Sequence, residues 1–171
     1  FVAIAHEIAA RETLLIVTPE PDEVKKQILG RVNMENVRFL KCETNDTWAR
    51  DHGAITLLDA DGVSLLDFKF NGWGLKFASD KDNLITRRAV ESEVMKGKYV
   101  NRLGFVLEGG SIESDGMGTL LTTSDCLLSP NRNGQMNRVE LEEYLRSVFH
   151  LQRGLWLDHG YLAGDDTDSH I

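Results

Sequence analysis

Three features of the sequence predict an α/β fold assembled from repeated strand–strand–helix–strand units. Short apolar runs rich in β-formers alternate with segments of helical period. The order strand, strand, helix, strand occurs twice in succession, each time with a Gly-containing hairpin loop between its first two strands. Polar, acid-bearing segments recur where each hairpin begins, and the residues Asp51, Glu108 and His170 within them lie 57 (51 to 108) and 62 (108 to 170) positions apart. Alternation alone is common to α/β proteins. A repeat whose single unit leaves a sheet face or edge bare predicts linear or radial stacking, and in a radial arrangement these three residues converge on one axis.

The elements follow in order. Residues 1–10 place Val2, Ile4, Ala5 and Ile8 on one helical stripe with no capping residue ahead, so the chain is expected to start inside an element. Residues 13–18, bounded by Pro19 and Pro21, read as a buried strand. Residues 22–29 read as a helix with Pro21, Asp22 and Glu23 at its start and Gly30 as its stop. Residues 36–42 alternate as a strand does, and the polar segment 43–52 follows. Strands at 54–58 and 63–70 flank Asp59-Ala-Asp-Gly62; a helix from about 81 to 95 leads to a strand at 103–107. Strands at 111–114 and 119–122 flank Asp115-Gly-Met-Gly118. A helix at 137–148 carries Leu141, Leu145 and Val148 on one stripe, and 155–157 is a strand. The chain stops in an acid-rich polar run, so it is expected to be a piece of one longer domain.

The 171 residues suit a single domain. With 19 basic and 27 acidic residues the net charge is −8, which opposes nucleic acid and anionic membrane surfaces and favours a cationic substrate. Hydrophobic content of 42%, 15 Gly and 3 Pro exclude a disordered or collagen-like chain. No apolar run approaches a membrane span, and no basic segment precedes a signal-like apolar one. Two cysteines, Cys42 and Cys126, are too few for a disulfide framework and fit a reducing compartment. The protein is expected to be soluble and cytoplasmic.

Candidate chemistry concentrates in the polar segments. Asp46-Thr-Trp-Ala-Arg-Asp51 packs two acids, an arginine and an indole into six positions beside a strand end. A carboxylate is the natural partner of a guanidinium or amidinium, and the Trp48 face can pack on the same cation. Glu108-Gly-Gly-Ser111 puts an acid at a strand end with two glycines that allow close approach of a ligand. Asp165, Asp166, Asp168 and His170 resemble the start of a calcium loop but lack its Gly and distal Glu, and a single His is poor for zinc, so no metal is assigned. His170 remains as an acid/base suited to neutral pH. Cys42 and Cys126 lie in apolar runs and read as buried structural thiols. Phe70-Asn-Gly-Trp-Gly-Leu-Lys76 lacks phosphate-loop spacing and reads as a rigid loop lining a pocket, with Trp73 at its centre.

Taken together, Asp46-Thr-Trp-Ala-Arg-Asp-His-Gly53, Phe70-Asn-Gly-Trp-Gly74, Leu107-Glu-Gly-Gly-Ser111, Leu121-Thr-Thr123 with Asn131-Arg-Asn133, and Gly164-Asp-Asp-Thr-Asp-Ser-His170 resemble, in order and spacing, the agmatine deiminase or Porphyromonas-type peptidylarginine deiminase family. The similarity runs from about residue 10 to the last residue. It implies a five-bladed α/β propeller, here with part of its blades, and hydrolysis of agmatine to N-carbamoylputrescine and ammonia, a step toward putrescine. By motif match it implies that Asp51 holds the guanidinium, Glu108 is the second acid in contact with it, His170 is the general acid/base, and Trp48, Trp73 and Asp166 complete the substrate pocket. The implied nucleophile is a cysteine beyond this chain, as is a carboxylate just after Ile171. Asp166 stands where characterised agmatine deiminases have Glu, and Ser169 where they have Gly, which bears on recognition of the amine end. The implied partner is a small cationic guanidine, with no cofactor; a homodimer is one assembly open to the chain, and the sequence does not fix the oligomeric state. Arginine or peptidylarginine is the alternative substrate, and a non-catalytic guanidine-binding module the alternative class.

Overall fold

The structure, a computed structural model, describes residues 1–171. Helix α1 (Val2–Ala9) precedes strand β1 (Leu14–Thr18), helix α2 (Pro21–Ile28) and strand β2 (Val37–Lys41), which pairs parallel with β1. Pro21 fits the first turn of α2 because the N–H it lacks has no intrahelical partner there, and Asp22 and Glu23 favour the positive end of the helix.

A short helix α3 (Ala49–His52) then leads into the first complete unit, β3 (Ile55–Asp59), β4 (Gly62–Lys69), α4 (Gly72–Leu75), α5 (Ile85–Glu91) and β5 (Lys98–Val106). The second comprises β6 (Ile112–Ser114), β7 (Thr119–Thr123), α6 (Ser124–Leu127), α7 (Arg138–Phe149) and β8 (Arg153–Leu157). In both, the first two strands form an antiparallel hairpin and the third lies parallel to the second. Strands β3 and β6 start at Ile55 and Ile112, 57 residues apart (55 to 112), and β4 and β7 keep the same interval (62 to 119). The expected order of elements is therefore present twice, in an α/β architecture of three separate sheets.

The central strands owe their position to burial. Leu65, Leu66, Asp67 and Phe68 of β4 are all buried, as a strand covered on both faces requires. Leu66 and Phe68 join Phe105, Leu107, Ile112, Leu120 and the α7 stripe of Leu141, Leu145 and Val148 in one core. The two complete units thus share apolar side chains, and each fully buried leucine in that core contributes roughly 1.5–3 kcal/mol. Asn137 starts α7 with a capping box, accepting from Glu140 N while the Glu140 carboxylate accepts from Asn137 N.

Two expectations shift. The helix expected over 81–95 is a 3₁₀ turn (Asp82–Leu84) followed by α5, because Asp82 turns inward and accepts from the backbone N–H groups of Asn45 and Asp46. Strand β5 begins at Lys98, five residues early, since pairing with buried β4 outweighs the polar character of Lys98, Asn101 and Arg102. No helix is long and apolar enough to cross a membrane.

Candidate active site

The polar segments between units do meet. The Asp82 carboxylate fixes the backbone at Asn45 and Asp46, and the Asp46 carboxylate accepts from Trp48 N at 3.0 Å. The single turn α3 then directs Asp51 inward, where it is 8% exposed. Its two oxygens accept from Gly110 N at 2.9 Å and from the Trp73 indole N–H at 3.0 Å.

Trp73 reaches Asp51 from an unusual backbone. Gly72, Trp73, Gly74 and Leu75 all have positive φ (67°, 54°, 80° and 69°), so α4 is one left-handed turn. For Trp73 and Leu75 that conformation costs roughly 1–2 kcal/mol each. Asn71 offsets it by accepting from Gly74 N and donating to Asn131 O, while Phe70 and Phe77 hold the indole edge-on at centroid distances of 5.0 and 5.7 Å. The expected pocket loop is thus a strained turn that aims one N–H at a carboxylate.

The glycines after Glu108 are needed for close approach. A Cβ on Gly109 would lie 2.2 Å from Arg50 O, and one on Gly110 would lie 2.5 Å from Asp51 Oδ1 and 2.6 Å from His170 Nδ1. His170 Nδ1 sits 3.7 Å from Asp51 Oδ1, and its Nε2 hydrogen-bonds Glu108 Oε2 at 2.8 Å. Residues 57 and 62 positions apart are thereby brought into one chain of contacts. Asp51 and His170 line a cavity of about 500 Å³ together with Trp48, Trp73 and Asp166. Glu108 is not among its lining residues; with its side chain fully buried it stands behind His170. Trp48 is 65% exposed and forms a rim, as does Asp166.

Sequence reasoning missed the partner of Glu108. Arg132, in the turn between α6 and α7, donates from Nε to Glu108 Oε1 and from Nη2 to Oε2, both at 3.0 Å. Burial alone would push the Glu108 carboxyl up, but the His170 and Arg132 hydrogen bonds and the Arg132 charge outweigh it and hold the group below its ordinary range. Partial burial acts on Asp168 in the same upward sense, and there Lys76 and Arg132 prevail and hold the carboxyl low. Asn131-Arg-Asn133 stands among the motifs of the sequence, with no partner assigned to Arg132. The neighbouring asparagines hold it inward: Asn131 O is bound by Asn71, and the Asn133 amide pairs with both N–H and C=O of Val106, continuing β5 toward Glu108.

Cys126, expected as a buried thiol in an apolar run, is buried on α6, which Thr123 caps, with its thiol 3.7 Å from Glu108 Oε2. Burial pushes that thiol up and keeps it protonated. Glu108, Cys126 and His170 have ligand atoms within 4.8 Å of one another, but Arg132 occupies both Glu108 oxygens and the thiol is neutral, a donor set that disfavours a divalent ion. The acids of the last segment take different roles. Asp165 caps a turn by accepting from Thr167, Asp166 faces the cavity, and Asp168 enters an ion pair.

These low carboxyl values make the fold sensitive to acid. Both groups titrate below their unfolded values of 4.5 and 3.8, so the stability they contribute is full above about pH 4.5 and is lost as pH falls through their folded values. Urea midpoints are expected to hold between about pH 7 and 5 and to drop below about pH 4.5. A midpoint that rises on acidification would contradict the ion-pair account.

The family described as Porphyromonas-type peptidyl-arginine deiminase matches residues 1–171. The agmatine deiminase of Ectopseudomonas mendocina is 36% identical over 177 residues, covering 100% of this chain and 47% of that protein. A Porphyromonas gingivalis structure provisionally assigned as an arginine deiminase is 45% identical, with a TM-score of 0.92 over 100% of this chain and 51% of that one. Agmatine deiminase from C. jejuni with substrate bound is 37% identical, with a TM-score of 0.88 over 99% of this chain and 49% of that one. The chain spans about half the length of the curated relatives it matches.

Proposed function

Because the chain belongs to the Porphyromonas-type peptidyl-arginine deiminase family, we propose that it is part of a guanidine deiminase whose substrate is agmatine. The observation that carries this reading is the cavity in which Asp51 and His170 lie 3.7 Å apart, walled by Trp48 and Trp73. A planar cation fits between an indole face and a carboxylate. We assign Asp51 to the guanidinium and His170 to proton transfer, with Glu108 behind His170 stabilising its imidazolium.

In the proposed reaction a cysteine thiolate from beyond residue 171 attacks the guanidinium carbon, forming a C–S bond and a tetrahedral adduct. His170 gives its proton to the departing nitrogen, the C–N bond breaks and ammonia leaves. His170 then takes one proton from water as the water oxygen adds to the amidino-thioether, the C–S bond breaks as the thiolate departs, and the remaining hydroxyl proton passes to solvent, leaving N-carbamoylputrescine. Neither cysteine present is placed to act as the nucleophile. Cys126 is fully buried and absent from the cavity lining, and Cys42 is buried with its sulfur against Glu43 O and Arg88.

Charge at the cavity mouth favours an amine over a carboxylate at the far end of the substrate. Asp46, Asp165 and Asp166 line it with one cation, Arg50, which is shared with Glu113 at 3.8 Å. Arg87 pairs with Glu91 and Arg88 with Cys42, away from the cavity. Arginine or peptidylarginine, whose carboxylate or backbone needs a basic clamp, is the second reading, supported by the provisional name of the P. gingivalis structure. Closure of further ββαβ units into five blades, a cytoplasmic location and a homodimer belong to the same proposal; the shared core of the two complete units supports closure.

The 171-residue chain alone is expected to release no ammonia from agmatine, whereas the full-length protein does. Turnover by this chain that disappears on Cys42→Ser or Cys126→Ser would overturn the assignment of the nucleophile.

A further inference from the structure

After β8 the chain runs to His170 with no helix or strand. Thirteen irregular residues (158–170) do not by themselves hold an imidazole in place, because ordering each costs roughly 1–2 kcal/mol. Backbone contacts of Asp158 and Ile171 and the Thr123 hydroxyl on Ser169 O fasten parts of this segment, and the largest set of side-chain contacts on it converges on one buried group. Arg132, whose side chain is 0% exposed, donates to both oxygens of Glu108, from Nη1 to Asp168 Oδ2 at 2.9 Å, and from Nη2 to the Thr167 carbonyl at 2.9 Å. The other oxygen of Asp168 accepts from Lys76 Nζ, which also donates to Asp166 O, both at 2.6 Å. Lys76 directly follows the left-handed turn that aims Trp73 at Asp51. With the backbone joining Trp73 to Lys76, the contacts close a ring from Asp51 through Trp73, Lys76, Asp168, Arg132, Glu108 and His170 back to Asp51, and Asp51, Trp73 and His170 of that ring line the cavity.

We propose that Arg132 is a positioning residue whose guanidinium ties Glu108, at the end of one repeat, to the segment carrying His170, at the end of the next, and so sets the Glu108–His170 contact. This rests on the reading of His170 as the acid/base and adds what holds it there. Lysine cannot substitute, since a single ammonium does not span both Glu108 oxygens, Asp168 and a carbonyl, whereas the planar fork of arginine does. The groups facing Glu108 are Arg132, His170 and Cys126, with Asp168 and Asp51 next to them. Without the Arg132 charge, burial acts on Glu108 against His170 alone, the carboxyl rises, and a protonated Glu108 no longer supports an imidazolium.

Three variants of the full-length protein test this. Arg132→Lys keeps the charge but not the geometry; Asp168→Asn keeps the shape and releases one anchor; Arg132→Gln removes the charge. Neither Arg132 nor Asp168 lines the cavity, though Asp166 and Thr167 beside them do, so kcat on agmatine is expected to fall at least about tenfold in Arg132→Lys and Asp168→Asn, by more than KM rises. In Arg132→Gln the acid limb of the kcat profile is expected to move up by at least about one pH unit. The proton on His170 Nε2, expected to give a sharp downfield NMR signal in the unmodified protein while bonded to Glu108, is expected to broaden or vanish in Arg132→Lys and Asp168→Asn. Wild-type kcat and an unmoved acid limb, or a raised KM with the signal intact, overturn the proposal. If Arg132→Gln does not fold, Asp168→Asn decides. If the unmodified protein releases no ammonia, the deiminase reading fails, and the NMR signal decides on Arg132 separately: its persistence in both variants overturns the positioning role.

Discussion

Asp51→Asn in the full-length protein is expected to abolish turnover of agmatine while leaving the fold intact. The amide keeps the shape of the carboxylate and can still accept the indole N–H of Trp73 or the N–H of Gly110 through its one remaining oxygen. It loses the charge that would pair with a guanidinium, and its NH₂ group would oppose one of those two donors. The expected fall in kcat/KM is at least about 10²-fold, the scale for one electrostatic contact that strengthens in the transition state. A cooperative unfolding transition, lowered by no more than about 1–3 kcal/mol for the one opposed donor, would accompany it. Near-normal turnover by a folded variant would remove Asp51 from the reaction.

A second large effect is expected on stability. Glu108→Gln leaves the Arg132 guanidinium fully buried with only Asp168 as a charged partner, and that partner is 34% exposed. Breaking a buried ion pair from one side costs about 3–5 kcal/mol, because the remaining charge keeps its desolvation penalty and loses its compensation. Urea unfolding near neutral pH reads this directly. A loss below about 1 kcal/mol would mean that Arg132 finds water or another anion, and that the interior around Glu108 is wetter than its burial implies. Activity is expected to fall as well, since His170 Nε2 loses the anion that stabilises its protonated form.

How much of the fold and the site is legible in the sequence depends on the range of the interactions involved. Helix α7 and both hairpins carry their signals locally: a capping residue, a stripe of leucines, a Gly-containing loop between apolar runs. The interval between Asp51 and Glu108 is legible as a repeat, because β3 and β6 restart in phase. Strand β5 is recognisable only in its apolar half, since Lys98 and Asn101 join it through pairing with β4 and not by their own preference. The left-handed turn of α4 is unreadable at Trp73 and Leu75, where two L-residues adopt a conformation that Asn71, Asp51 and the aromatic neighbours sustain from outside the turn. The contacts of Arg132 are hidden for a different reason. Its motif Asn131-Arg-Asn133 is visible, but its partners Glu108 and Asp168 lie 24 and 36 positions away, so the motif names the residue and not its contacts. Cys126 reads as an inert buried thiol, and its thiol is indeed buried, but its contact with Glu108 depends on the α6 turn.

On the proposed function, this chain supplies the guanidine-binding half of a deiminase whose cavity prefers an amine at its far end. Ammonia release by the full-length protein, measured side by side on agmatine, free arginine and a peptide ending in arginine, decides between these substrates. The charges at Asp46, Asp165 and Asp166 predict turnover of agmatine with a kcat/KM well above that for either arginine substrate. Equal or faster release from arginine or the peptide would contradict the amine preference, and no release from any of the three by the folded protein would contradict the deiminase reading itself.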